Sequence, residues 1–544
     1  MDLSTFFNPK ITQLTSYFSL AYLAIFLPIV IVIYWLMPHK ARRWTLLISS
    51  YVFFWLISGK LTVFLLITTL SMYLFGLWLD KLNVKRKAAA KLANDRAEKK
   101  AIKKAYQTRQ RWVIFFASVV HIGSLLVIKY TPFFLGNVNA VIKACGSSFE
   151  IGIPKFMMPI GISFFTMQAV SYILDVYHGV VKADRNYLRL SLYIGFFPQI
   201  VEGPICKYAD TAEQIYAAKQ ISYTNLTLGL ERIAFGLMKK MVVADRLNIL
   251  VQTIFDDYSK FGGVTIALGA VAYTIQLYMD FSGTMDAVCG TAQIFGIAMP
   301  ENFQRPFFSR SVSEFWKRWH ITLGAWFRDY IFYPISMSKP MKNLTTSARK
   351  KLGNHFGPLI AGAVALFAVW FCNGLWHGAA WSYIFFGMYH FALILTGNIV
   401  TPFTNSLNEK LHINTECFAY KAMQMVRTTI FVIIGEMFFR AHGLKAGIVM
   451  FKKLVTDFSF AEITTGYLKT LGVDVKDLII VGVTLLIIFV VSILNEKGIV
   501  IRNELQKKNI VLRYLVFIAL VMFILIFGAY GIGYDPVDPI YANF

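Results

Sequence analysis

The sequence predicts an all-α, polytopic membrane protein, a helical bundle of about eleven or twelve spans with re-entrant and interfacial helices around a central cavity. Three observations carry this. Of the 544 residues 56% are hydrophobic and only 15% charged, well below the roughly 25% charge of a soluble domain. Apolar runs long enough to cross a bilayer recur from end to end. The excess of cations, +24 overall, is gathered in short loops between those runs, as positive-inside sorting requires.

In chain order the runs lie at about 16–37, 44–58, 61–79, 113–130, 156–177, 188–205, 264–281, 358–375, 379–400, 425–440, 477–494 and 513–531. The first, Ser16–Met37, is longer than the apolar part of a signal peptide. It has only Lys10 as an upstream base and no clear small-residue cleavage site, so it is expected to stay as a membrane helix. Lys40, Arg42 and Arg43 follow it, while only Lys60 separates the second run from the third. Between Lys81 and Trp112 come twelve Lys or Arg and two acids, read as a helix lying at the cytoplasmic surface against anionic lipid headgroups. That placement accounts for the basic charge without any nucleic-acid partner. Farther on, Pro154, Pro159, Pro198 and Pro204 interrupt apolar stretches, and broken backbone survives at membrane depth only where protein or a water-filled cavity covers it. Segments 205–263 and 282–357 are too polar for spans and too aromatic for free loops, hence interfacial. The five cysteines form no CxxC pair, so neither a disulfide framework nor a metal site is expected.

The whole chain, 1–544, reads as one integral-membrane domain: N-terminal spans over 1–130 with the basic loop 81–112, a core over 150–400, and C-terminal spans over 401–544. Within the core, Ser309–Pro334 is the most informative stretch. Ser311 and Glu314 fit a capping box, so a helix should begin there, with Pro334 near its end. Helical spacing then puts Trp316, His320, Leu323, Phe327 and Tyr330 on one face, with Arg318 opposite. A second histidine, His377, falls at the end of an apolar run in FCNGLWHGAAW. There Asn373 precedes it by one helical turn, Trp376 adjoins it, and Gly374 and Gly378 are expected to leave room for a substrate. Leaving an ionisable group unpaired at membrane depth is costly, so its presence there points to a function. A neutral imidazole suits removal of a proton from a hydroxyl as that oxygen attacks a thioester. No serine elbow, HExxH, P-loop or GxGxxG accompanies it.

Five ordered motifs resemble those of the membrane-bound O-acyltransferases, in the bacterial branch of alginate O-acetylation and teichoic-acid D-alanylation. They are PIGISFFTMQAVSYILDVYHG at Pro159–Gly179, GFFPQIVEGPI at Gly195–Ile205, MDFSGTMDAVCG at Met279–Gly290, Pro300–Ser336 around RWH, and NGLWHGAAW at Asn373–Trp381. The resemblance implies that His377 is the catalytic histidine and His320 the second characteristic polar position. It also implies a tunnel from a cytosolic thioester donor, acetyl-CoA or a carrier protein, to an acceptor across the cytoplasmic (inner) membrane, with no tightly bound cofactor. The acceptor would be an extracytoplasmic polysaccharide, reached directly or through an SGNH-hydrolase-like partner. Tunnel-lining positions are expected at Asn373, Gly374, Trp376, Gln199, Glu202, Gly203 and Arg318. Asp175, Asp280 and Asp286 are read as partners in ion pairs inside the bundle, and His121, His178 and His390 as structural. A transporter or flippase using the same cavity, and a scaffold of a polysaccharide-export complex, are the competing readings; a transporter should show repeated half-helices, and no internal repeat is visible.

The charge asymmetry places 81–112 and 495–513 in the cytoplasm, with Lys60 and the C-terminal tail outside. An impermeant maleimide added to intact cells should modify a Lys60→Cys variant and spare Arg96→Cys. Modification of the second would overturn this orientation.

Overall fold

Unbroken apolar runs become long helices in the computed structural model, and proline- and glycine-broken ones become short buried pieces. The structure describes residues 14, 16–464 and 466–530, so the tail GYDPVDPIYANF lies outside the described residues. Among these residues the regular elements are helical, with one isolated antiparallel bridge between Phe303 and Trp319. They pack as two compact units. The first holds residues up to Leu230 together with Val288–Pro300; the second holds Glu231–Ala287 and the chain from Glu301 onward.

The first unit contains α1 (Ala21–Leu36), α2 (His39–Ser58), α3 (Thr62–Leu92), α4 (Arg96–Ala144), α5 (Ile162–His178), α6 (Tyr187–Gly195) and α7 (Tyr208–Ala217). The basic block is not the surface-lying helix expected from its composition. It forms the turn and flanks of a hairpin in which α3 and α4 continue beyond their apolar parts. The break is chemical: Asp95 accepts a hydrogen bond from the Glu98 amide at 2.6 Å, and Glu98 accepts one from the Asn94 amide at 2.8 Å. Gln110 then donates to Asn83 at 2.8 Å across the pair.

Runs 156–177 and 188–205 are shortened to α5 and the nine-residue α6, followed by non-helical backbone through Cys206. This irregular segment is buried, and part of its backbone is bonded internally, as membrane depth favours. Tyr17 donates to the Phe197 carbonyl at 3.0 Å and accepts from the Val201 amide at 3.3 Å. Gly161 turns the chain into α5 at φ 74°, with the Ile200 carbonyl only 2.0 Å from where a Cβ would stand. No other residue fits there.

The second unit contains α9 (Asp245–Asp256), α11 (Val312–Arg318), α12 (Ile321–Phe327), α13 (Lys339–His377), α14 (Trp381–Lys410), α15 (Phe418–Arg440), α16 (Leu444–Thr456), α17 (Val475–Glu496) and α18 (Ile510–Phe527); α8 (Tyr223–Leu237) and α10 (Gly263–Ile294) run through both units. Among the described residues, eight helical stretches are long and apolar enough to cross a membrane: α2 with α3, α4, α10, α13, α14, α15, α17 and α18. The chain is therefore a multi-pass membrane protein. Ion pairs hold the part of α10 that lies in the second unit, as expected for Asp280 and Asp286. Asp286 binds Arg232 at 2.9 Å and Lys239 at 2.7 Å, and Lys240 bridges Asp280 at 2.9 Å and Asp245 at 2.7 Å.

Helices α13 and α14 approach backbone to backbone. A Cβ on Gly374 would lie 2.5 Å from the Tyr383 carbonyl, and one on Gly387 would lie 2.3 Å from the Trp370 carbonyl. The space beside Gly374 is therefore filled by α14, and the space beside Gly378 by the Tyr383 ring at 2.3 Å; neither opens onto a substrate path as the sequence suggested. Gly387→Leu should separate the two helices and destabilise the protein by about 1–3 kcal/mol. A thermal melt of the purified variant checks this, and an unchanged unfolding temperature would contradict the contact.

Candidate active site

The site begins with a turn that helical periodicity does not foresee. The capping box forms as expected: Ser311 accepts from the Glu314 amide at 3.1 Å, and Glu314 accepts from the Arg310 amide at 2.9 Å. The helix does not continue to Pro334, however. It stops at Arg318, His320 adopts a left-handed backbone at φ 47° and ψ 50°, and α12 starts at Ile321. From Ile321 helical backbone runs on through a π-helical turn at Arg328–Phe332 to Ser336, so Pro334 does lie near a helix end, that of the second piece. The single aromatic face expected from Trp316 to Tyr330 is thereby broken in two.

The cause lies upstream, in the segment ENFQRP. Phe303 bridges Trp319, and the Gln304 amide donates to the Arg318 carbonyl at 2.9 Å. Asn302, 1% exposed, accepts at its carbonyl from the Ile321 amide at 3.0 Å. Its side-chain oxygen accepts from both the amide and the hydroxyl of Thr322, at 3.0 and 2.7 Å. A left-handed non-glycine residue costs roughly 1–2 kcal/mol, and these bonds offset it.

His377 is the last residue of α13, and Gly378 follows with extended backbone. Trp376 contacts both histidines: its ring centre is 5.6 Å from that of His320 and 4.9 Å from that of His377. Phe281 of α10 meets the other side of His320 at 4.8 Å, edge to face. Phe439 of α15 and Phe386 of α14 meet His377 at 5.0 and 5.9 Å. Both histidines are only 3% exposed. Burial pushes the His320 imidazole down to about 3, which keeps it neutral at physiological pH. Two buried imidazoles on one indole, in an aromatic enclosure, are chemically suited to proton transfer and hydrogen bonding, because water competes little there.

Residues 180–349 match the model of the MBOAT, membrane-bound O-acyltransferase family. The chain is also 30% identical over 467 residues to the "Probable alginate O-acetylase" of Pseudomonas syringae pv. tomato, covering 85% of this chain and 80% of that protein. The chain belongs to the membrane-bound O-acyltransferase family. It is an O-acyltransferase. Other relatives in the family are the "Peptidoglycan O-acetyltransferase" of Helicobacter pylori, 28% identical over 64% of this chain and 65% of that protein, and the "Teichoic acid D-alanyltransferase" of Bacillus subtilis, 32% identical over 44% of this chain and 58% of that protein.

Within this acyltransferase the second unit brings together His320, Trp376, His377 and, one turn earlier on α13, Asn373. Asn373 is 6% exposed, and its amide oxygen accepts no hydrogen bond among the described residues. Arg318 is held elsewhere: its guanidinium pairs with Glu314 at 2.9 Å and with Glu496 of α17 at 3.3 Å, and Arg305 pairs with the same Glu496. That makes it an anchor for α11 and not the tunnel position proposed from sequence. Gln199, Glu202 and Gly203 belong to the first unit. There Gln199 donates to the Tyr193 carbonyl at 2.8 Å, and Gln199 Cα would lie 2.8 Å from a Cβ on Gly203, so this glycine closes a tight turn and adds no open space. The sequence reading missed Asn302, Phe281, Phe386 and Phe439; of these only Phe386, nine residues from His377, lies close along the chain to the histidine it serves. Asn302→Ala leaves the Thr322 amide and hydroxyl without their acceptor, at a cost of about 1–3 kcal/mol. It should lower both the unfolding temperature and acyl transfer; an unaffected variant would show that the His320 turn is held by other means.

Proposed function

We propose that this acyltransferase moves an acyl group, acetyl in the first instance, from a cytosolic thioester across the cytoplasmic membrane to hydroxyls of a cell-surface or secreted polysaccharide, directly or through an SGNH-hydrolase-like partner outside. The observation that supports this chemistry is that two buried histidines, His320 and His377, both meet the Trp376 ring. The acceptor class rests on relatives named for O-acetylation of alginate and of peptidoglycan. Transfer of D-alanine to teichoic acid is the second reading, and it draws on a match over 44% of the chain against 85% for the alginate relative.

His377 removes the proton from the acceptor hydroxyl as that oxygen bonds to the thioester carbonyl carbon. The carbon–sulfur bond then breaks, and the proton passes from the imidazolium to the departing thiolate, giving ester and thiol. His320, neutral because it is buried, donates its ring N–H toward the carbonyl oxygen while that oxygen carries charge. The amide oxygen of Asn373, one helical turn before His377 and accepting no hydrogen bond among the described residues, is available to accept from that imidazolium once it has taken the hydroxyl proton. Acetyl-CoA and a carrier-protein thioester present the same reacting atoms, so the roles of these side chains hold for either donor.

His377→Ala should lower acyl transfer on the order of 100- to 10,000-fold with the protein still folded and membrane-inserted. His320→Ala should cause a large but incomplete loss. Base-releasable acetate on the surface polysaccharide of cells carrying each variant measures both, and wild-type acetate in the His377→Ala cells would overturn the assignment.

A further inference from the structure

A third histidine, His390, lies on α14 outside the pair described above and is fully buried, at 0% exposure. Its Nδ1 lies 3.2 Å from the indole nitrogen of Trp316. An indole N–H can only donate, so Nδ1 is the acceptor and the ring proton sits on Nε2. The imidazole stacks on Trp370 of α13, with ring centres 5.4 Å apart and 30° between planes, and meets Phe386 edge-on at 4.7 Å. Trp316 and Trp370 meet each other at 4.9 Å. One imidazole therefore joins three elements. Trp316 is on α11, four residues before His320; Trp370 is on α13, seven residues before His377; and Phe386 touches both His390 and His377.

We propose that His390 is a positioning residue for the transfer reaction, fixing α11 and its His320 turn against the end of α13 that carries His377 by accepting the Trp316 indole hydrogen. This rests on the assignment of His377 and His320 made above. The packing of the site alone calls for an aromatic ring at this position, which phenylalanine supplies. Phenylalanine cannot accept the indole hydrogen, and it would leave a buried donor unsatisfied and Trp316 free to shift. A displacement near 1 Å at reacting groups lowers rate by about 100-fold. Gly435 of α15 is part of the same device, because a Cβ there would stand 2.6 Å from His390 Nε2 and push the ring off Trp316.

The test compares side chains that keep or lose the acceptor at the δ position. Asparagine places its amide oxygen where Nδ1 was, whereas glutamine carries its polar atoms one bond farther out. In cells expressing the full chain, the rate at which base-releasable acetate accumulates on the surface polysaccharide should fall about 10- to 100-fold in His390→Phe, His390→Gln and Gly435→Ala. His390→Asn should recover most of it. The rates are taken per folded protein, from membrane abundance and monodispersity, with His377→Ala as reference. Loss in His377→Ala beside wild-type rates in His390→Phe would overturn this proposal alone. Equal rates per folded protein in the Phe, Gln and Asn variants would do the same, since they would leave His390 a packing residue. Wild-type acetylation in His377→Ala would overturn the assignment beneath it and this proposal with it.

Discussion

The left-handed backbone of His320 is the constraint on which the site depends. A continuous helix from Ser311 to Pro334 would carry the imidazole along a helical face, among side chains one turn apart. The kink stops α11, starts α12 and sets the ring between Phe281 and Trp376. Such a conformation persists only where its surroundings over-determine it. Here Asn302 supplies three acceptor contacts to the residues that follow the kink, and the Phe303–Trp319 bridge holds the residues before it.

Placing the second histidine at the end of a span solves a different problem. Polar groups inside a bilayer must find partners within the protein, and the last turn of any helix leaves backbone groups open. By ending α13 at His377 the chain puts an imidazole where regular helix gives way to extended backbone, yet keeps it 3% exposed. The close approach of α13 and α14 at Gly374 and Gly387 makes this possible, because it brings Phe386 against the His377 ring and seats Trp370 beneath His390. Glycine serves backbone contact here, and the enclosure of the site follows from that contact.

The parts of the structure that were legible in the sequence are those whose cause is local. Apolar length gave the spans, and Ser311 with Glu314 gave the start of α11. Asp280 and Asp286 could be read as ion-paired because a lone charge in hydrocarbon is costly. The break in the basic block was legible in principle, since Asp95 and Glu98 have capping spacing, but the density of lysines on both sides suggests an uninterrupted helix. The kink at His320 was not legible: Asn302 acts from eighteen residues upstream, and helical periodicity carries no record of it. Gly374 misled for a related reason. A small residue beside a histidine reads equally as room for a substrate or as room for another helix, and only the Tyr383 carbonyl lying against it decides. His390 resembles any core histidine until its partner is known to be an indole nitrogen, a group that fixes its tautomer.

The central claim is that the thioester carbonyl reacts beside His377, with His320 on the same Trp376 ring. A haloacetyl thioester, which carries an alkylating carbon next to the carbonyl that would be transferred, tests it directly. After incubation with the full-length protein in membranes and digestion, peptide mass spectrometry should find the alkyl group on His377, with competition by the unhalogenated thioester. Alkylation elsewhere, at Cys372 for example, with His377 unmodified and the same competition, would place the reacting centre away from this pair of histidines.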